Sequence, residues 1–539
     1  METVSGIIVD PLARQMFSGH LRLESGRITT ITRDERATGP FILPGFIDSH
    51  IHIESSMLSP AAFAAQAVVH GTVAVVADPH EIANVLGIPG IDLMIANANQ
   101  VPLKFAFGAP SCVPSTNFES SGATINAQEV DKLLQREEIY FLAEMMNFPG
   151  VLAGDQEVMA KIAAAQRLGK VVDGHATWLK GDGLAQYIQA GISTDHESTS
   201  LAECQEKLAL GMYIQLRQGS SARNFADLHA IISTHPSQTM FCTDDLKPAD
   251  LCKGHINTMV QQARQYGHDL FDILQGSSVN PVHHYKLPVG LLQPGDPADF
   301  ILVTDLETLE VQATYIAGQK ISQAGEALFS AAQPELRNNF SPQPLTVDDL
   351  QLTSNKAAMR VITVEDGQLI TGSNMVSLKE SGVIKADPQQ DILKIVVQNR
   401  FSSSPPALAF IKGFGLQSGA MASSIAHDCH NIIAVGCSDE DISMAINLLH
   451  QSGGGIAFCS SATQQILPLP LAGIMGLGSC QEISQQYDQL EKTAQQHGCQ
   501  LQTPFMTMSF LALPVIPSLK LTDQGLFDVD NFCFTNLFC

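Results

Sequence analysis

Between residues 41 and 285, short apolar runs alternate with stretches whose apolar residues fall at helical spacing. The runs cover 41–52, 72–78, 104–111, 139–144, 170–175, 192–196, 212–217 and 240–244, and they are rich in the residue types that favour buried strands. One intervening stretch, 155–169, opens on Asp155 with an acidic first turn and stops at Gly169, the marks of a complete helix. Pro60 stands in a first turn ahead of an alanine-rich run. Strands and helices alternating over eight units predict an α/β protein built on a (β/α)8 barrel of the TIM type. In that fold the C-terminal strand ends carry catalytic groups, and here the runs end in polar or titratable residues, which a purely structural barrel does not require.

On either side of this region the period shortens to two. Gly6-Ile-Ile-Val-Asp10 and the segment 21–31 are too few strands for a stable sheet, but a matching set follows at 289–303 and 311–317. The two sets are expected to combine into one small β domain flanking the barrel, with residues 1–40 as its first part, 286–325 as its second, and the barrel at 41–285 between them. Residues 326–350, with Ser341-Pro-Gln-Pro-Leu345, read as a linker. From 351 to 539, strands at 392–397, 407–412 and 431–436 mix with helices. Ser438 opens one helix, with Ile442, Ala445, Ile446 and Leu449 on one face, and Ser479-Cys-Gln-Glu482 is a capping box for another. This is expected to be a separate C-terminal α/β domain.

The strand ends supply the chemistry. His50 and His52 are one residue apart, so in a strand both imidazoles point to the same face, where they form a pair of metal ligands. His50, His52, Glu144, His175, His196 and Asp244 all lie at ends that a barrel brings to one mouth. Their mixture of imidazole and carboxylate suits Zn, Mn or Fe(II) without choosing among them. Asp78 reads either as a proton-transfer group or as a strand-end turn before Pro79. His80 and Glu81 read as pocket or accessory-ion residues, or as ordinary structure. His427-Asp-Cys-His430 resembles a ligand cluster, against the plainer reading of a polar loop after a strand.

Composition removes several classes of partner. A formal charge of −24 argues against docking on nucleic acid or on an anionic membrane. No apolar run is long enough to span a bilayer, and Met-Glu-Thr-Val-Ser-Gly is not the start of a secretory signal. Eleven scattered cysteines with no Cys-x-x-Cys pair suggest free thiols in a reducing cytoplasm, and they exclude the ligand pair of the small zinc nucleobase deaminases.

Nine stretches then carry a resemblance. They are Pro44-Gly-Phe-Ile-Asp-Ser-His-Ile-His-Ile-Glu-Ser-Ser56, Asp78-Pro-His-Glu-Ile-Ala-Asn84, Gly108-Ala-Pro-Ser-Cys-Val-Pro114, Glu144-Met-Met-Asn-Phe-Pro-Gly150, Asp173-Gly-His175, Thr194-Asp-His-Glu197, Phe241-Cys-Thr-Asp-Asp245, Leu467-Pro-Leu-Pro-Leu-Ala-Gly473 and the block 504–514. Together they resemble the amidohydrolase superfamily and, within it, the bacterial adenine deaminases, over nearly the whole chain. The resemblance implies a cytoplasmic purine-salvage hydrolase that converts adenine to hypoxanthine and ammonia, with a metal-activated hydroxide attacking C6. It implies a binuclear centre of Mn or Fe(II), with Zn as a further option, held by His50, His52, His175, His196 and Asp244. Glu144 would bridge the ions or move a proton, and Asp78 and Asp245 are candidates for other proton transfers. A homodimer is expected by analogy. An amidohydrolase acting on another nucleobase or a cyclic amide is the alternative, followed by a non-catalytic barrel scaffold. Two departures bear on substrate contacts: Gln218 stands where an acid is expected, and Trp178, which follows His175 closely, reads as a packed loop residue or, alternatively, as one that reshapes the lid or pocket.

Overall fold

Gly45 divides the first apolar run in two. A Cβ added there would lie 2.2 Å from Val73 Cγ1, so only glycine lets the chain cross at this point. Before it, Phe41–Pro44 pairs into a flanking sheet; after it, β1 (Phe46–Ile51) starts the barrel. The computed structural model describes residues 2–341, 344–378 and 382–539. The chain packs as two units, the first made of Met1–Pro79, Leu93–Cys112 and Asn126–Pro334, the second of His80–Asp92, Val113–Ile125 and Glu335–Cys539.

In the first unit, β1 is followed by β2 (Thr72–Ala77), β3 (Lys104–Ala109), β4 (Ile139–Met145) and β5 (Val172–Gly174), paired in that order and all parallel. β6 (Thr194–Asp195), β7 (Tyr213–Arg217) and β8 (Thr239–Cys242) form a second parallel ladder. Parallel bridges at Val172/Ile192 and Ile51/Asp244 join the two ladders at both edges. The result is the curled parallel sheet of a TIM-type barrel. Its strands are apolar nearly throughout because helices cover their outer face. The helix Gln156–Arg167 is capped by Asp155, which accepts from Val158 N, and Pro60–Ala67 carries its proline in the first turn.

The flanking sheet of this unit has eight strands, ordered Glu326–Ala327, Gln319–Gln323, Val311–Ile316, Phe300–Val303, Phe41–Pro44, Glu2–Asp10, Gln15–Glu24 and Arg27–Arg33. Strands from before and after the barrel therefore share one ladder, and Ile8, Leu21, Ile28, Ile42, Phe300 and Tyr315 share one core.

The second unit is built on another eight-stranded sheet, ordered Gly372–Ser377, Ala358–Thr363, Ala407–Lys412, Leu393–Gln398, Ile432–Gly436, Ala420–Ser423, Gly455–Cys459 and Gln464–Pro468. Helix Asp439–Ser452, capped by Ser438, buries Ile442, Ala445, Ile446 and Leu449 against it. Leu345 and Leu350 enter the same core, so the stretch 326–350 is no bare connector. Residues 342–343 of Ser341-Pro-Gln-Pro-Leu345 lie outside the described residues. Among the described residues, no helix is long and apolar enough to cross a membrane.

Candidate metal centre

The barrel places all six residues expected as ligands within reach of one another, and Glu144 is at their centre. It stands near the end of β4 with 3% of its surface exposed. Its Oε1 lies 3.2 Å from His52 Nε2 and 3.9 Å from His50 Nε2. Its Oε2 lies 2.6 Å from His175 Nδ1 and 3.3 Å from His196 Nε2. The two oxygens thus face different pairs of imidazoles. Asp244 joins the first pair, with Oδ1 at 3.1 Å from His52 Nε2 and 3.7 Å from His50 Nε2.

Backbone bonds fix this arrangement. Asp244 sits in the left-handed region, at φ 56°, which costs a residue with a Cβ roughly 1–2 kcal/mol. It is held there because its N–H donates to His50 O at 2.9 Å while His52 N–H donates to Asp244 O at 3.3 Å. His52 Nδ1 donates to Asp78 O at 3.1 Å, which assigns the ring proton to Nδ1 and turns the Nε2 lone pair toward the carboxylates. The Asp78 carboxyl also lies within 4.8 Å of the facing atoms of His52 and Glu144, and Asp245 is equally close to those of His52 and Asp244. Ser55 Oγ donates to Asp245 Oδ1 at 2.5 Å. All eight candidate residues therefore share one site.

The electrostatics follow from burial opposed by opposite charges. Burial pushes the Glu144 carboxyl up, but His175, His196 and His52 outweigh it and hold it well below the usual carboxylate range. Asp244 behaves alike, with Arg217 leading the groups that lower it. Burial and then His196 keep the His50 imidazole well below its ordinary value. For His175, burial is overcome by Glu197 and Glu144, which push the ring up to about 9.

The donor set fits divalent transition-metal ions. Donors about 2.0–2.2 Å from one ion stand about 3–4 Å apart, the spacing of His50, His52, Asp244 and Glu144 Oε1. Both ring nitrogens of His50, and His196 Nδ1, are buried with no hydrogen-bond partner among the described residues, an expense that ligation through a ring nitrogen relieves at His50.

Residues 41–321 match the model of the amidohydrolase family, and 368–533 match that of the adenine deaminase C-terminal domain. An adenine deaminase of Methanosarcina barkeri is 47% identical, with 100% of each chain covered. The chain belongs to the adenine deaminase family. Another family member, an adenine deaminase of Parabacteroides distasonis, is 46% identical over 99% of this chain and 98% of its own. Among solved structures, N-acetyl-D-glucosamine-6-phosphate deacetylase from Mycobacterium smegmatis matches 60% of this chain and 100% of its own, at 15% identity and a TM-score of 0.45.

This family member also uses residues that sequence reasoning passed over. Arg217, noted only as a strand end, donates from Nη1 to Asp244 Oδ2 at 2.6 Å and contacts Glu197 Oε1. Lys207 is fully buried and ties together the loops carrying His175 and His196. Tyr187 accepts from His175 N at 3.0 Å and donates to Met145 O at 2.7 Å, joining the ends of β4 and β5. Trp178 is not packed: it is 51% exposed, with its backbone left-handed at φ 57°. Gln218 continues β7 by donating from its N–H to Cys242 O at 3.0 Å.

Proposed function

We propose that this chain hydrolyses adenine to hypoxanthine and ammonia at the barrel site, with two divalent cations held by His50, His52, Glu144, His175, His196 and Asp244. Full-length similarity to adenine deaminases supports the substrate. The observation that carries the site assignment is the division of Glu144, whose Oε1 faces the His50, His52 and Asp244 group while Oε2 faces His175 and His196. A carboxylate so divided suits a bridge between two ions better than a free proton carrier. Bound there, divalent cations lower the pKa of water toward about 7, supplying a nucleophile at neutral pH.

The rest is the work of the chain. Addition of water at C6 and loss of the amine require one proton to reach the ring and one to reach the departing nitrogen, so that adenine and water become hypoxanthine and ammonia. Asp78 and Asp245 border His52, and their carboxylates are the groups we assign to these transfers. Ser55 fixes the Asp245 carboxylate by donating to Oδ1. Arg217 keeps Asp244 ionised as a ligand.

The test is ammonia release from adenine by full-length protein reconstituted separately with Mn, Fe(II) and Zn. Activity is expected with at least one metal, with loss in His50→Ala and Asp244→Ala. Metal-loaded protein that leaves adenine intact while turning over another base or a cyclic amide overturns the substrate assignment.

A further inference from the structure

The second unit contains its own buried group of metal-type side chains. His80 and Glu81 open the helix His80–Leu86, and His427, Asp428 and His430 lie on the loop between strands Ala420–Ser423 and Ile432–Gly436. All five are buried, none more than 4% exposed. His80 Nε2 stands 3.5 Å from Glu81 Oε1 and 4.0 Å from Asp428 Oδ1. Facing atoms of His80, Glu81 and Asp428 lie within 4.8 Å of one another.

Two kinds of spacing coexist here, and they separate two roles. His427 Nδ1 is at hydrogen-bond distance from Glu81 Oε1, 2.5 Å, and His430 Nε2 contacts Glu81 Oε2. His430 Nδ1 accepts from Ala426 N–H at 3.3 Å, so the neutral ring carries its proton on Nε2, toward Glu81. The His427 imidazole therefore orients Glu81 through a hydrogen bond, whereas His430 meets the other oxygen in a contact without hydrogen-bond geometry. By contrast, the distances of 3.5 and 4.0 Å around His80 are those of donors sharing one ion about 2.0–2.2 Å away.

The surroundings hold the loop rigidly. His427 stacks on Phe510 with ring centroids 4.5 Å apart, and its N–H donates to Ser509 O at 2.9 Å. Arg400, fully buried, donates to Ser424 O at 3.4 Å and His430 O at 3.3 Å. Two carboxylates packed among imidazoles call for positive charge, and among the described residues Glu81 pairs with His80, His427 and His430.

We propose that His80, Glu81 and Asp428 bind a divalent transition-metal ion, with His427 orienting Glu81. One imidazole with two carboxylates suits Mn(II), Fe(II) or Zn(II). The set shares no residue with the barrel ligands, so its test does not depend on the proposed function.

The experiment loads the full-length chain with Mn2+ alone, removes loose metal by gel filtration and counts bound Mn by mass spectrometry. In a variant combining His50→Ala, His52→Ala, Glu144→Ala, His175→Ala, His196→Ala and Asp244→Ala, about one Mn per chain should remain. Adding Glu81→Gln or Asp428→Asn should bring it near zero. A folded barrel variant that keeps no Mn, or whose Mn survives both additions, overturns the proposal. If circular dichroism shows the barrel variant unfolded, Glu81→Gln and Asp428→Asn are made singly. Each should then bind about one Mn fewer than the parent, and equal counts overturn the proposal.

Discussion

Lys207→Met isolates the device that holds two of the barrel's imidazoles in place. Lys207 Nζ donates to Ala176 O at 2.9 Å, Asp195 Oδ2 at 2.8 Å, Ser198 Oγ at 3.1 Å and Glu203 Oε1 at 2.8 Å. Ala176 follows His175 and Asp195 precedes His196, so one ammonium joins both ligand-bearing loops. Asp195 completes the joint by accepting Ala176 N–H on Oδ1 at 2.9 Å and Ser198 N–H on Oδ2 at 3.0 Å. Burial pushes Asp195 up, but Lys207 outweighs it and holds the carboxyl well below its usual range. Methionine keeps most of the side chain's volume and removes the charge. It leaves Asp195 and Glu203 buried without it, which costs about 3–5 kcal/mol. At about 2–4 °C per kcal/mol for a large domain, the melting temperature should drop by about 10 °C. His175 and His196 would lose their supports, and affinity for Mn should fall about 10–100-fold. Circular dichroism melts and Mn titration read the two effects. Adding Asp195→Asn removes one stranded charge and should recover part of the stability loss. A Lys207→Met protein that melts within about 2 °C of the parent and binds Mn equally well would refute the reasoning.

Other outcomes follow from the same physics. Arg217→Met removes the cation that leads in lowering Asp244 and should reduce kcat/KM for ammonia release about 100-fold, with bound Mn also reduced; unchanged kinetics would show that Arg217 is not needed to position Asp244. Glu144→Gln keeps the shape but weakens a shared ligand, so metal analysis should find less than half the parent's barrel-bound Mn. Burial holds His70 and His284 down at about 4, so the folded chain takes up fewer protons than the unfolded chain between about pH 6.5 and 4. Stability should therefore be full above pH 6.5 and fall on acidification through that window, by at most about 1.4 kcal/mol per pH unit for each histidine. Urea unfolding of His70→Asn at pH 7, 6 and 5 should show a shallower fall than the parent, and identical slopes would reject the assignment to His70.

The barrel was legible because alternation between strand and helix periods leaves a strong trace, and because strand ends are where polar residues interrupt apolar runs. His50, His52, Glu144, His175, His196 and Asp244 were visible for that reason. What escaped had a local disguise. Gly45 lies inside what reads as one apolar run, 41–52, since the Val73 side chain that demands glycine is remote in sequence. Lys207 lies four residues after Glu203 on the helix Leu201–Ala209, the pattern of an ordinary solvated ion pair, and only its complete burial shows otherwise. The short segments His80–Asp92 and Val113–Ile125 belong to the second unit although barrel strands flank them in sequence, and no composition shift marks them. Glu81 and His427 meet across a separation of 346 residues, beyond any local pattern.

The two carboxylates at the heart of the barrel site are kept ionised in different ways, and the difference bears on how the site takes up metal. Glu144 is lowered first by imidazoles, with His175 leading, whereas Asp244 is lowered first by Arg217. The imidazoles are themselves held up by the acids they face: His52 well above its ordinary range, His175 up to about 9, and His196 raised too. For each of them burial opposes the shift and the carboxylates overcome it. A nitrogen that takes a metal must first give up any proton it carries, so cations and protons compete for the nitrogens that surround Glu144. Arg217 does not enter this exchange, because a guanidinium does not deprotonate in a protein. Asp244 thus keeps a constant partner through the exchange, while the charge around Glu144 changes hands. The imidazoles, with His52 facing both carboxylates, are where the binding free energy carries its dependence on acidity.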